Sequence, residues 1–93
     1  MKRQKVTVKN YAGLHARPAS LLVKLAARYE SEFHINMYGY KINGKSILGV
    51  LTLAAEQGAE MELELEGPDE DDAIKALIEL FENGFNESNG EHG

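Results

Sequence analysis

The stretch Glu60-Met61-Glu62-Leu63-Glu64-Leu65-Glu66 alternates without a break. Successive side chains of an extended strand point to opposite faces, so Met61, Leu63 and Leu65 share one face and the four glutamates share the other. A strand of this kind belongs to a sheet that is buried on one side and wet on the other. Following the chain onward, Gly67 and Pro68 form a turn. Asp69 is placed to cap a last helix, and Glu70, Asp71 and Asp72 complement the positive end of its dipole. Ala73, Leu77, Leu80 and Phe81 make its predicted buried stripe, which Asn83 and Gly84 close.

Working back from the same strand, Gly58 reads as the stop of a short apolar helix over Ile47, Leu48, Val50, Leu51, Leu53 and Ala54, with Ser46 as its N-cap. Phe33, Ile35 and Met37 alternate with Glu32, His34 and Asn36, which predicts another strand with one wet face. Gly39 interrupts it, and Tyr40 and Ile42 suggest a returning strand. Ala19, Leu22, Ala26 and Tyr29, joined by Val23 and Leu25, fall on one helical face, so a helix is expected from about Ala16 to near Tyr29. Pro18 sits in its first turn, where a missing N–H is harmless. Asn10 to Gly13 is a turn, and Val6 and Val8 define a first strand over Lys5 to Lys9. The order βαββαβα gives an α+β fold: a two-layer open-faced sandwich with three helices on one face of a four-stranded antiparallel sheet. One domain is expected over residues 1–84, followed by a polar, flexible tail over residues 85–93.

Composition narrows the function. Ninety-three residues make one domain, and the absence of cysteine removes disulfides and thiolate metal sites. The net charge of −5 argues against a general nucleic-acid binder. No apolar run approaches the roughly 18 residues of a membrane span, and the basic start leads into no apolar stretch, so cytoplasmic residence is expected. Most acid lies after Glu56, whereas nearly all Lys and Arg lie in the first half, which points to anion chemistry there.

The segment Gly13-Leu14-His15-Ala16-Arg17-Pro18 carries that chemistry. A histidine just before a helix start meets free N–H groups and a dipole that attract anions and disfavour imidazolium. A neutral imidazole nitrogen can attack phosphorus, and Arg17 can bond two phosphate oxygens at once. Gly13 lets the loop bend. A loop histidine and a first-turn proline are also ordinary surface features, so spacing alone leaves both readings open.

The stretch Gly13-Leu14-His15-Ala16-Arg17-Pro18-Ala19 resembles the active-site signature of the HPr family, the histidine phosphocarriers of the bacterial sugar phosphotransferase system. Asn43-Gly44-Lys45-Ser46-Ile47-Leu48-Gly49-Val50-Leu51 resembles the regulatory serine segment of that family, and the separation of the two motifs matches. The resemblance covers about residues 4–84. It implies that His15 accepts a phosphoryl group from enzyme I, on Nδ1, and passes it to EIIA-type acceptors, with Arg17 stabilising the transfer. It implies Ser46 as the target of HPr kinase/phosphorylase. It implies docking through Ser20, Lys24, Ile47, Leu48 and Leu51. It also implies a stoichiometric carrier rather than an enzyme, with no cofactor and no metal. A monomer is expected, because no long unpaired apolar strand or coiled-coil pattern is present.

The residues themselves leave some of this open. Ile47, Leu48 and Leu51 are either an exposed partner patch or fully packed. Ser46 is either a cap alone, worth about 1 kcal/mol, or a cap that is also a phosphosite, whose charge a helix N-terminus tolerates. Lys45 is a kinase contact or a solvated charge. His34 and the glutamate stripe read as solvated, His92 carries no structural argument, and Tyr11, Tyr38 and Tyr40 read as packing residues. The competing function within the family is a regulatory paralogue that acts through phospho-Ser46, as in catabolite control. Such paralogues have lost the histidine that is present here. A small metal- or ligand-binding domain with a fortuitous motif is the remaining alternative.

Overall fold

A computed structural model describes residues 1–87. His92 lies outside the described residues. The elements are β1 (Lys2–Thr7), α1 (Ala16–Ala26), β2 (Glu32–Met37), β3 (Tyr40–Asn43), α2 (Ile47–Thr52), β4 (Glu60–Glu66) and α3 (Glu70–Glu82), followed by one 3-10 turn at Gly84–Asn86. The expected βαββαβα order is the observed one. The sheet runs β1-β4-β2-β3, antiparallel throughout, so the alternating strand β4 lies at its centre.

Register follows the apolar pattern. Val6 lies opposite Met61, and Leu65 and Leu63 lie opposite Phe33 and Ile35. These side chains, with Met37, form the buried floor of the core. Ala19, Leu22 and Ala26 of α1 and Ala73, Ile74, Leu77 and Phe81 of α3 cover it. Leu80 is only half-buried, because the inward face of α3 is rotated to include Ile74 instead.

Several local expectations are corrected. β1 starts earlier than Lys5 and ends at Thr7, since Lys2 and Arg3 pair with Leu65 and Glu64 at the far end of β4. Val8 continues the contact outside the strand, its N–H donating to the Ala59 carbonyl at 2.9 Å. α1 ends at Ala26, and Tyr29 closes a turn beyond it by donating to the Ala26 carbonyl. Gly58 does not end α2. That helix stops at Thr52, Ala54 is left-handed (φ 49°), and Gly58 turns the chain so that its N–H reaches the Val8 carbonyl. Tyr38 and Tyr40 do not pack: Tyr38 and Gly39 form the hairpin tip at positive φ, and Tyr40 begins the edge strand. Tyr11 is exposed as well.

The glutamate stripe is not simply solvated. Glu64 is 7% exposed. On the central strand it is covered from both sides: Lys41 Nζ lies 3.1 Å from Oε1, Asn36 Nδ2 donates to Oε2 at 2.8 Å, and Arg3 Nε lies 3.2 Å from Oε2. The Lys41 bond, then that of Asn36, holds its carboxyl below the ordinary range. His34, opposite Glu64 on β2, is half-buried rather than exposed.

Asp69 occupies the N-cap position of α3, yet its side chain caps nothing there. Its carboxylate instead accepts from the Ser31 hydroxyl and from the Glu30 and Ser31 N–H groups, tying the α1–β2 loop to the start of α3. The Ser31 hydroxyl is the main cause of its lowered pKa. Glu70 is lowered too, first by the Gly67 N–H.

Since folding depresses all three carboxyls, the unfolded chain binds more protons in acid, and stability rises with pH there. Their contribution is fully present above the ordinary carboxylate range. It is lost as pH falls below about 4 and on through the folded-state values. Urea titrations are expected to give a flat midpoint from about pH 5 to 7 and a falling one below about 4. Asp69→Asn should make that acid fall shallower; an unchanged acid slope would refute the role of Asp69.

Candidate functional site: the His15 loop

Residues 10–15 are folded by bonds at both ends. Gly13 N–H donates to the Asn10 carbonyl at 3.1 Å, and Asn10 Nδ2 donates to the Gly13 carbonyl at 2.6 Å. Leu14 N–H donates to the Ala55 carbonyl at 2.8 Å, and the Leu14 side chain is buried. This holds the loop against the segment after α2. Gly13 is required there. Its φ is +75°, and a Cβ would collide with the Ala55 carbonyl and come within 2.9 Å of Glu56 Cα.

His15 follows as the N-cap residue of α1, with extended backbone, and its side chain makes no capping bond. Its carbonyl accepts from Ala19 N–H at 3.0 Å, which starts the helix. The first N–H groups of a helix have no intrahelical acceptor, so those of Ala16 and Arg17 are open to an anion. Pro18, buried at the third position, has none to offer and loses nothing. The His15 side chain is 44% exposed. Arg17 is exposed beside it and takes part in no ion pair among the described residues. An imidazole nitrogen, two open N–H groups and a free guanidinium thus come from three consecutive residues, His15 to Arg17.

Two contributors were not found from sequence. Glu87 Oε2 lies 3.3 Å from His15 Nε2, and Glu87 Oε1 accepts from Asn10 Nδ2 at 3.1 Å. The polar ending gives no pattern that signals Glu87, and Asn10 reads as a turn former. Just past residue 84, Phe85 is buried and packs on Phe81.

The second motif is arranged around α2. Ser46 is its N-cap, and Ser46 Oγ accepts from Gly49 N–H at 3.1 Å. Lys45 is neither solvated nor spare: its Nζ donates to the Tyr29 carbonyl at 2.7 Å. Of the apolar residues, Leu48 is 72% and Ile47 38% exposed, Leu51 is half-buried, and Val50 is buried. The two readings of this helix therefore divide residue by residue. On α1, Arg17, Ser20 and Lys24 follow one stripe at helical spacing; Lys24 is exposed and Ser20 half-buried.

Comparison with known proteins identifies the family. The family model described as the PTS HPr component phosphorylation site matches residues 2–83. The chain belongs to the HPr family. Phosphocarrier protein HPr of Treponema pallidum is 48% identical over 82 residues, covering 88% of this chain and 93% of that protein. The crystal structure of HPr-C-His from Thermoanaerobacter tengcongensis superposes with a TM-score of 0.91 at 43% identity, covering 95% of this chain and 99% of that one. The HPr-like protein Crh of Halalkalibacterium halodurans is 45% identical over 82 residues, covering 88% of this chain and 98% of that protein. HPr membership makes this chain a phosphocarrier of the phosphotransferase system, and so connects it to sugar transport. No described helix is long and apolar enough to cross a membrane.

Proposed function

We propose that His15 is the phosphoryl acceptor, taking the group on Nδ1 from phosphorylated enzyme I and delivering it to EIIA-type acceptors. One observation carries this reading: His15 is an N-cap residue whose ring caps nothing, exposed over a helix N-terminus with Arg17 beside it. The N–H groups of Ala16 and Arg17 and the Arg17 guanidinium receive the phosphoryl oxygens, and they are equally suited to charge developing during transfer. The protein is a stoichiometric carrier in the cytoplasm, a monomer that turns over no small substrate by itself. Incubation with enzyme I and phosphoenolpyruvate should add one phosphate, readable by intact mass, that brief acid removes. No added phosphate would overturn the reading.

Docking uses the exposed Ile47 and Leu48 with Leu51, Ser20 and Lys24. Ser46 is the regulatory site of HPr kinase/phosphorylase. A phosphate there meets the start of α2, which the fold tolerates, but it brings charge to an apolar surface. Ser46→Asp should keep the fold, because aspartate also caps helices, and should lower the rate of phosphoryl transfer from enzyme I. Unchanged transfer kinetics would remove Ser46 from regulation. The likeness to Crh supports a second reading, a regulatory partner of a catabolite-control protein acting through phospho-Ser46. An acid-stable phosphate from HPr kinase and ATP, with none acquired from enzyme I, would favour it.

A further inference from the structure

Glu87 lies beyond the residues that the family model matches, and its carboxylate returns to the His15 loop. The side chain is 13% exposed and both oxygens are engaged, Oε2 with His15 Nε2 and Oε1 with Asn10 Nδ2. Asn10 is fully buried, and the same nitrogen also donates to the Gly13 carbonyl, so one amide joins the loop to Glu87. The segment is anchored just before: Phe85 is 1% exposed, and Glu87 N–H donates to the Gly84 carbonyl at 3.1 Å.

A carboxylate can only accept, so with Oε2 3.3 Å from Nε2 the pairing favours the ring proton on that nitrogen and leaves the lone pair on Nδ1. We propose that Glu87 is a positioning residue that selects this tautomer and turns Nδ1 outward to the phosphoryl donor. The inference rests on His15 being the acceptor. In the transfer, the Nδ1 lone pair forms the bond to phosphorus as the donor's bond to phosphorus breaks, its electron pair staying with the donor. The ring keeps its Nε2 proton and becomes cationic, and the Glu87 carboxylate then faces that charge as an ion pair. Asn10 keeps the carboxylate from turning away. Histidines that must present one nitrogen are commonly fixed through the other in this manner.

The test uses the whole chain labelled with 15N, read at a pH where His15 is neutral. Ring-nitrogen shifts give the tautomer, and transfer from phosphorylated enzyme I gives the rate. The wild type should hold the proton on Nε2. Glu87→Ala should yield a mixture of tautomers and a rate about ten-fold lower. Glu87→Gln, whose side-chain oxygen can still accept, should restore the tautomer but only part of the rate. An unaltered tautomer in Glu87→Ala overturns the proposal whatever the rate does, and so does faster transfer, which would make Glu87 a shield. A wild type that accepts no acid-labile phosphate defeats the carrier reading instead, and the tautomer comparison still tests the contact.

Discussion

His15→Ala is expected to take no phosphate from enzyme I and to remain folded. Intact mass and circular dichroism check the two halves of that statement. The substitution removes the imidazole lone pair that attacks phosphorus; the Arg17 guanidinium and the backbone N–H groups only donate. The fold should not notice. The imidazole makes no capping bond and is 44% exposed, and the helix-starting bond uses the backbone carbonyl. A stability change within about 0.5 kcal/mol is therefore expected. A variant that still acquires an acid-labile phosphate would place the acceptor elsewhere, with His34 the described candidate. Its position on the outer sheet face, opposite Glu64, shares nothing with the loop.

What the sequence made legible depended on how local the cause was. Glu60–Glu66 was read to the residue because side-chain alternation is a property of the strand alone. The placement of the candidate residues was legible for a similar reason: His15, Arg17 and Pro18 owe their arrangement to a helix start, and Ser46 to another. Features set by distant partners were not. β1 reaches back to Lys2 because β4 offers partners for it. Asp69 looks like a cap, but the α1–β2 loop competes for its carboxylate and wins with three donors. Glu64 resembles its three neighbours in sequence, and only the central place of β4 brings Lys41, Asn36 and Arg3 over it. Glu87 is the extreme case, since its partners come from the opposite end of the chain.

Phe85→Ala is expected to destabilise the protein by about 3–5 kcal/mol, the range for emptying a buried phenylalanine site. Total stabilities of domains lie at about 5–15 kcal/mol, so a large part of the fold's margin rests on a residue that reads as tail. The backbone shows why the loss should be large. Gly84, Phe85 and Asn86 have φ values of +60°, +57° and +61°. Glycine takes that conformation freely and asparagine tolerates it, but Phe85 is strained by about 1–2 kcal/mol. Such a turn persists only if something over-determines it. Here that is burial of the Phe85 ring, edge-on to Phe81 with centroids 4.8 Å apart. Without the ring, the strain remains and the burial does not, so the turn should release as well as leave a cavity. Urea denaturation measures the total, and a loss below about 1 kcal/mol would mean that the site collapses at no penalty. Release of the turn also frees Glu87 from His15 and Asn10, so the same variant should shift the His15 tautomer as Glu87→Ala does. The apolar anchor thus sets the geometry of a carboxylate two residues away, and through it the nitrogen presented to phosphorus.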